Sequence, residues 1–260
     1  MGNEGFLDFG IGSGDEEVGK KAKRFTAENN TTYRATFCWY SVKTEKGWDD
    51  AAAFDKEGKL VPPVFNDEGK QTAGAQVRFT GCERIYLKGV GNFLYKSPAY
   101  AEFGQPKQYV ATIIVVWPTD KEGDLDVAAF SKGKGYAVMP WIFSTDKYNA
   151  IKKSAKRFSL MDHDMTMACP ENGAEYQKLT FTPETANLLR KLMSSEKPEA
   201  HAIAAKILAD VKALAMNINR ELAQDLTIEQ IREKLGGGSS PTGTANHAAK
   251  DVDDLLGDLT

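Results

Sequence analysis

The sequence predicts a mainly β protein with α: a β-barrel-like body, then C-terminal helices, then a disordered acidic tail. Three observations carry this. Aromatic and β-branched runs, several alternating apolar with polar, dominate the chain up to about residue 182. Segments with helical periodicity come after them, and strands first with helices afterwards argues for one β body with a helical attachment. A Gly/Ser/Pro arm beginning at Gly236 ends in an acidic tip with leucines set into it.

The boundaries follow element by element. Residues 1–24 are rich in Gly and Asp and read as a flexible acidic segment, with one apolar cluster at Phe6-Leu7-Asp8-Phe9. The β domain covers 25–182. Its first strand is Tyr33–Val42, followed by a polar stretch, Glu45 to Ala73, that reads as an insertion or long loop. Ala75–Lys88 has strand period, with Gly81 marking a bulge or kink, and Gly89-Val90-Gly91 reads as a hairpin turn. Gln108–Trp117 contains Ile113-Ile114-Val115-Val116 and reads as a central strand, stopped by Pro118. Gly135–Ser144 is a further strand, which Pro140 places at an edge or a break. A short helix capped by Ser144 or Thr145 runs to about Phe158, with Tyr148, Ile151, Ala155 and Phe158 on one face. Leu160–Ala168 and Glu175–Phe181 resemble two strands joined by a turn at Pro170–Gly173. Residues 183–235 form a helical extension with segments near 184–194, 199–217 and 227–235. Residues 236–260 are linker and tail.

Net charge is −3 over 260 residues, but the charge is segregated. Residues 1–19 carry −5, residues 20–180 carry +5, residues 181–235 balance, and residues 236–260 carry −3. A mildly basic body between two acidic ends is a pattern suited to binding a polyanion with partial self-competition. No run of about 18 apolar residues exists, and the start lacks a basic-then-apolar signal, so neither membrane insertion nor secretion is expected. Cys38, Cys82 and Cys169 are widely spaced and odd in number, which suits free thiols in a reducing cytoplasm.

Catalytic signals are sparse. Asp162-His163-Asp164 with Cys169 nearby is the best metal candidate, but no paired ligand spacing supports it; no metal and no cofactor is expected. No phosphate-cradling glycine loop, triad or carboxylate pair can be assembled. Basic and aromatic residues interleaved through the β region are what stands out. On single-stranded nucleic acid, cations track phosphates while exposed rings stack on bases at about 1–3 kcal/mol each. The residues selected for that chemistry are Arg34, Tyr40, Arg78, Arg84, Tyr86, Lys88, Phe93, Tyr95, Lys96, Lys107, Lys132, Lys134, Tyr136, Lys152, Lys153, Lys156 and Arg157. Each aromatic taken singly has a core reading too, and the ones chosen share a face with Lys or Arg. Phe93 and Tyr95, beside Gly91, Asn92 and Lys96, are expected to be the exposed rings.

With these residues together, the chain resembles a bacteriophage single-stranded DNA-binding protein of the OB-fold kind. The likeness is one of layout: basic aromatic barrel, arm, acidic tip. It implies an OB-fold-like body that coats single-stranded DNA during phage replication, recombination and repair. It further implies a tail that recruits polymerase, helicase or recombinase through Asp251, Asp253, Asp254, Leu255, Leu256, Asp258 and Leu259, in the host-cell cytoplasm. The tip departs from bacterial relatives in having leucines and no terminal Phe. Homo-oligomerisation through the C-terminal helices stays open. So do two other classes, a phage structural or assembly protein and a protein-binding adaptor without DNA affinity.

Overall fold

The computed structural model describes residues 23–49, 64–65, 71–73, 77–94, 97–120, 124–132, 135–175, 177–223 and 226–236. Among these, the chain forms mixed α/β structure on a mostly antiparallel sheet that is not closed into a barrel. The expected barrel is thereby corrected. The expected tail lies outside the described residues.

Strand β9 (Lys107–Trp117) organises the molecule. Along one edge it pairs β10 (Ala137–Ser144) from Tyr109 to Val116. Its other edge is shared end to end. There β1 (Thr31–Phe37) pairs with Ile114–Trp117 and β7 (Cys82–Leu87) with Lys107–Ala111. Beyond β1 lie β11 (Met165–Cys169) and β12 (Thr180–Pro183); beyond β7 lies β8 (Gly91–Phe93). A smaller sheet joins β2 (Tyr40–Thr44) to β3 (Gly47–Asp49) and β6 (Val77–Phe79). The strands β4 (Val64–Phe65) and β5 (Gln71–Ala73) pair with each other.

Two long strands expected from the sequence are each broken once. Tyr33–Val42 divides between β1 and β2 at Cys38-Trp39, and Ala75–Lys88 divides between β6 and β7 at Thr80-Gly81. The second break needs glycine. A Cβ at Gly81 would stand 2.2 Å from Val110 Cγ1 and 3.0 Å from the Ala111 carbonyl oxygen, so the strand crosses β9 too closely for any side chain. The β7–β8 hairpin turns where expected, with Gly89 and Gly91 at φ 81° and 99°.

Alternation then decides what β9 buries on each face. Val110, Ile114 and Val116 join Tyr33, Phe37, Trp141 and Phe143 beneath α2 (Thr145–Ala155) and its Ile151. Ala111, Ile113, Val115 and Trp117 face the opposite way, against Leu189 of α3 (Leu188–Met193) and Ile207 and Val211 of α4 (Pro198–Leu222). A third cluster joins Ile85, Leu87, Phe93 and Tyr100 with Ile231 of α5 (Ile228–Gly236). Because both faces are covered, Tyr109 to Trp117 is buried without interruption, which is why that run reads as continuous rather than alternating.

The helices start where side chains satisfy their free N–H groups. Ser144 Oγ accepts from the Lys147 amide at 3.4 Å to open α2. For α3 the cap is Asn187, whose Oδ1 accepts from Arg190 N at 2.9 Å. The helix expected to start at Thr182-Pro183-Glu184 therefore starts later, because Thr182 and Pro183 pair with Thr166 and Met165 in the sheet. Thr227 and Gln230 form a reciprocal capping box on α5. The short α1 (Val127–Ser131), opened by Asp126, and the 3-10 turn Pro98–Phe103 were not anticipated. No helix among the described residues is long and apolar enough to cross a membrane.

Candidate functional site

Several of the basic and aromatic residues selected on the sheet are buried rather than exposed. Phe93, expected as an exposed loop ring, is 0% exposed in β8 and meets Tyr100 edge-on at 4.9 Å. Tyr40 is buried on β2, and Tyr86 is buried on β7, where its ring meets Tyr109 edge-on. Tyr40 joins the cluster beneath α2 and Phe93 the cluster with Ile231 of α5, so sharing a parity with Lys or Arg does not place a ring in solvent. Tyr136 is half-buried and leans on Trp117; burial, with Asp210 nearby, raises its phenol above the usual range.

Of the selected cations, one is interior and another is largely covered. Arg84 is fully buried and donates through Nη1 to the Glu83 carbonyl at 2.9 Å and to Cys82 Sγ at 2.8 Å. Arg34 belongs to a buried polar latch. Its Nε donates to Asp164 Oδ2 at 3.0 Å and its Nη2 to the Ala186 carbonyl at 3.3 Å. Asp164 also accepts from the Thr36 hydroxyl and from the Leu188 amide at 3.1 Å, while Trp117 Nε1 donates to Thr36 Oγ1 at 2.8 Å. Burial raises the Asp164 carboxyl above its ordinary range, against the opposing pull of Thr36 and Arg34. These groups tie β1, β9, the loop before β11 and the start of α3 into one unit.

Arg78, Lys88, Lys107 and Lys132 are exposed, on β6, after β7, at the start of β9 and after α1 respectively. Tyr95, Lys96, Lys134 and the tail residues Asp251, Asp253, Asp254, Leu255, Leu256, Asp258 and Leu259 lie outside the described residues.

What the fold does concentrate is the end of α2. Lys152, Lys153, Lys156 and Arg157 are all exposed there within six positions. Asp146, the acidic residue of this helix, sits in its first turn at the opposite end. Among the described residues none of the four cations forms a salt bridge; Lys152 Nζ lies 5.1 Å from the centre of the Tyr148 ring. The neighbouring acids, by contrast, are engaged: Asp162 with Arg190, Asp164 with Arg34, and Glu184 with Arg34 and the Thr166 hydroxyl. Spent acids beside unspent cations leave a positive field at this corner.

Directly after the cations comes Phe158, 42% exposed. Its amide bonds Ser154 O at 2.9 Å, and its ring meets His163 edge-on at 6.0 Å and 82°. His163 Nδ1 stands 2.6 Å from the Glu184 carbonyl. A carbonyl only accepts, so Nδ1 carries the proton and donates. Phe158 was expected within the helix, on one face with Tyr148, Ile151 and Ala155. It leaves that register because the helix ends at Ala155, with Lys156 as its cap, and Leu160 and Met161 take the core positions instead. The signal was present in the sequence as Lys152-Lys153-Ser154-Ala155-Lys156-Arg157-Phe158, a basic run closing on an aromatic.

The Asp162-His163-Asp164 stretch does not converge as metal ligands, since each side chain is turned to a different internal partner. Among the described residues no group of three His, Cys, Asp or Glu side chains is placed to hold a metal ion. Comparison with protein-family models, with curated proteins and with solved structures finds no match to this chain.

Proposed function

We propose that this chain is a sequence-independent single-stranded DNA-binding protein whose contact surface is the cationic end of α2 rather than the face of the sheet. The observation that carries the reading is the group Lys152, Lys153, Lys156 and Arg157, exposed together and without ion-pair partners among the described residues. Unpaired cations of this density suit a phosphate backbone, which supplies affinity without sequence preference. The charge segregation supports it, with a basic body between acidic ends. In this reading the protein protects single strands in phage replication, recombination and repair, and its tail recruits a polymerase, helicase or recombinase. An OB-like but open body is supported by the two kinked strand pairs, β1–β2 and β6–β7.

Burial of Tyr40, Tyr86 and Phe93 favours one other reading, an adaptor that binds protein and not DNA. The two separate in a titration of labelled single- and double-stranded oligonucleotides at two salt concentrations. The full chain, a chain ending at Gly236 and a variant with Lys152, Lys153, Lys156 and Arg157 all changed to Gln are compared. Salt-sensitive binding with single strands preferred, weakened in the Gln variant, supports the DNA reading; absence of binding at low salt leaves the adaptor. Tighter low-salt binding by the shortened chain marks self-competition by the tail.

A further inference from the structure

We infer that Phe158 is the residue that selects unpaired strands, by offering its exposed ring to a single base, and that His163 is its positioning residue. This deepens the reading above and rests on it. Cations alone do not discriminate single from double strands, since both present phosphates. Discrimination needs a group that only an unpaired base can reach, and an exposed aromatic face is such a group.

Three features set Phe158 apart from an apolar side chain left on the surface by accident. First, it is the only aromatic among the large exposed apolar residues described; the others are Val127 and Leu235. Second, it follows Lys156 and Arg157 directly, with Lys152 and Lys153 one turn back, so phosphates held by the cations bring their bases within reach of the ring. Third, the ring is supported. His163 meets it edge-on and is itself fixed by the 2.6 Å bond from Nδ1 to the Glu184 carbonyl. The connecting loop is fixed too. Asp162 N and His163 N donate to Ser159 O, both at 3.0 Å, and the Met161 amide donates to Ser159 Oγ. At the loop's end Asp164 is locked by Arg34, Thr36 and the start of α3. A ring held in place loses little freedom when a base stacks on it, which is how preorganisation converts contact into affinity.

The arrangement also explains why the ring remains outside. Burying a phenylalanine stabilises a fold by about 1.5–3 kcal/mol, yet Phe158 stays out of the core that its chain neighbours Leu160 and Met161 join with Ile151. The Ser159 turn directs Leu160 and Met161 inward and leaves Phe158 facing solvent.

The test uses the full chain, an oligo-dT strand, the same strand with every base removed, and a duplex of equal length. The abasic strand keeps the phosphates and removes what can stack. Wild type is expected to bind oligo-dT about 5- to 150-fold more tightly than its abasic copy, the range that one stacked base supplies. Phe158→Leu should abolish that preference and the preference over duplex, with abasic-strand affinity and melting midpoint unchanged. Phe158→Trp should restore the preference and report it directly, its emission quenched by oligo-dT and not by the abasic strand. His163→Gln should weaken the preference without removing it. A Phe158→Leu variant that keeps the full base preference overturns the assignment, as does Phe158→Trp emission that ignores the bases. Equal binding of oligo-dT and abasic strand by wild type overturns this assignment alone, because charge-driven binding survives. Loss of all nucleic-acid binding overturns the underlying reading and this one with it.

Discussion

The central strands and the end of α2 contain the same kinds of residue, rings beside cations, and the fold uses them in opposite ways. On the strands, Arg84 is enclosed, Arg34 is largely covered and tied to Asp164, and Tyr40, Tyr86 and Phe93 are buried. At the end of α2, four cations stand in solvent beside a ring that is 42% exposed. The difference lies in what covers each region. Helices α3 and α4 close one face of the sheet, and α2 with Phe25, Leu160 and Met161 closes the other, whereas Lys156, Arg157 and Phe158 in the turn that follows α2 are exposed, with only the edge of Phe158 meeting His163. Composition marks both regions as basic and aromatic; cover determines which can meet a ligand.

Breaking the latch on the buried side should give the largest effect. Asp164→Ala leaves Arg34 with only the more distant Glu184 carboxylate, and Thr36 and the Leu188 amide without their acceptor. Removing one partner of a buried pair costs about 3–5 kcal/mol, readable as a lower midpoint in urea. If the end of α2 is the contact surface, binding by the protein that stays folded should not change, because Arg34 is committed to Asp164 and Glu184. Reduced binding by folded Asp164→Ala protein would place Arg34 at the interface and erase the contrast between the regions.

The same carboxylate gives a pH dependence. Burial raises Asp164 above its ordinary range, so the folded chain holds that proton to a higher pH than the unfolded chain does. This group's contribution to stability is therefore full below the ordinary carboxylate value and falls as pH rises through the raised one. Asp164→Asn removes the titration, and its stability curve should be flatter than wild type across that window. A wild-type curve that instead climbs there, relative to Asp164→Asn, contradicts the direction of the shift.

On the exposed side the effect moves from stability to binding. Changing Lys152, Lys153, Lys156 and Arg157 together to Gln should leave the melting midpoint where it is. The salt dependence of single-strand binding should lose about 3 units of slope, from about 0.7 per phosphate contact on a single strand. An unchanged slope would move the interface elsewhere, with Arg78, Lys88 and Lys107 the next to test.

How much of this was legible varies with the physics of each part. The central strand was legible because Ile113-Ile114-Val115-Val116 has no polar break, and the Gly81 kink because only close backbone approach demands a glycine in that strand. The β7–β8 turn was legible from Gly89 and Gly91. The start of α3 was not. Thr182-Pro183-Glu184 has the composition of a helix start, yet β11 offers Thr182 and Pro183 a sheet partner that the local sequence cannot reveal. Burial of Tyr40, Tyr86 and Phe93 was likewise hidden, since alternation separates two faces of a strand but cannot say that both are covered. At the site, the four cations were legible as a run. Phe158 was missed because helical spacing was extended past Ala155, three residues beyond the point where the helix ends.

The smallest predicted effect tests the comparison at a single oxygen. Tyr40 Oη is buried and has no hydrogen-bond partner among the described residues, and burial pushes its phenol well above the usual range. The cavity beside it, lined by Thr36, Cys38, Met161, Asn187 and Leu189, measures about 10 Å³, at the lower bound of what one water needs. An unsatisfied buried hydroxyl is costly, so Tyr40→Phe should raise stability by about 1 kcal/mol. It should also leave DNA affinity unchanged, and so should Tyr40→Leu in whatever fraction folds, because the ring is core and not platform. If Tyr40→Phe lowers stability instead, the hydroxyl is satisfied by a bound water, and the cavity is a hydration site. If Tyr40→Leu weakens binding by its folded fraction, the sheet reaches the ligand after all, and the two regions act as one surface.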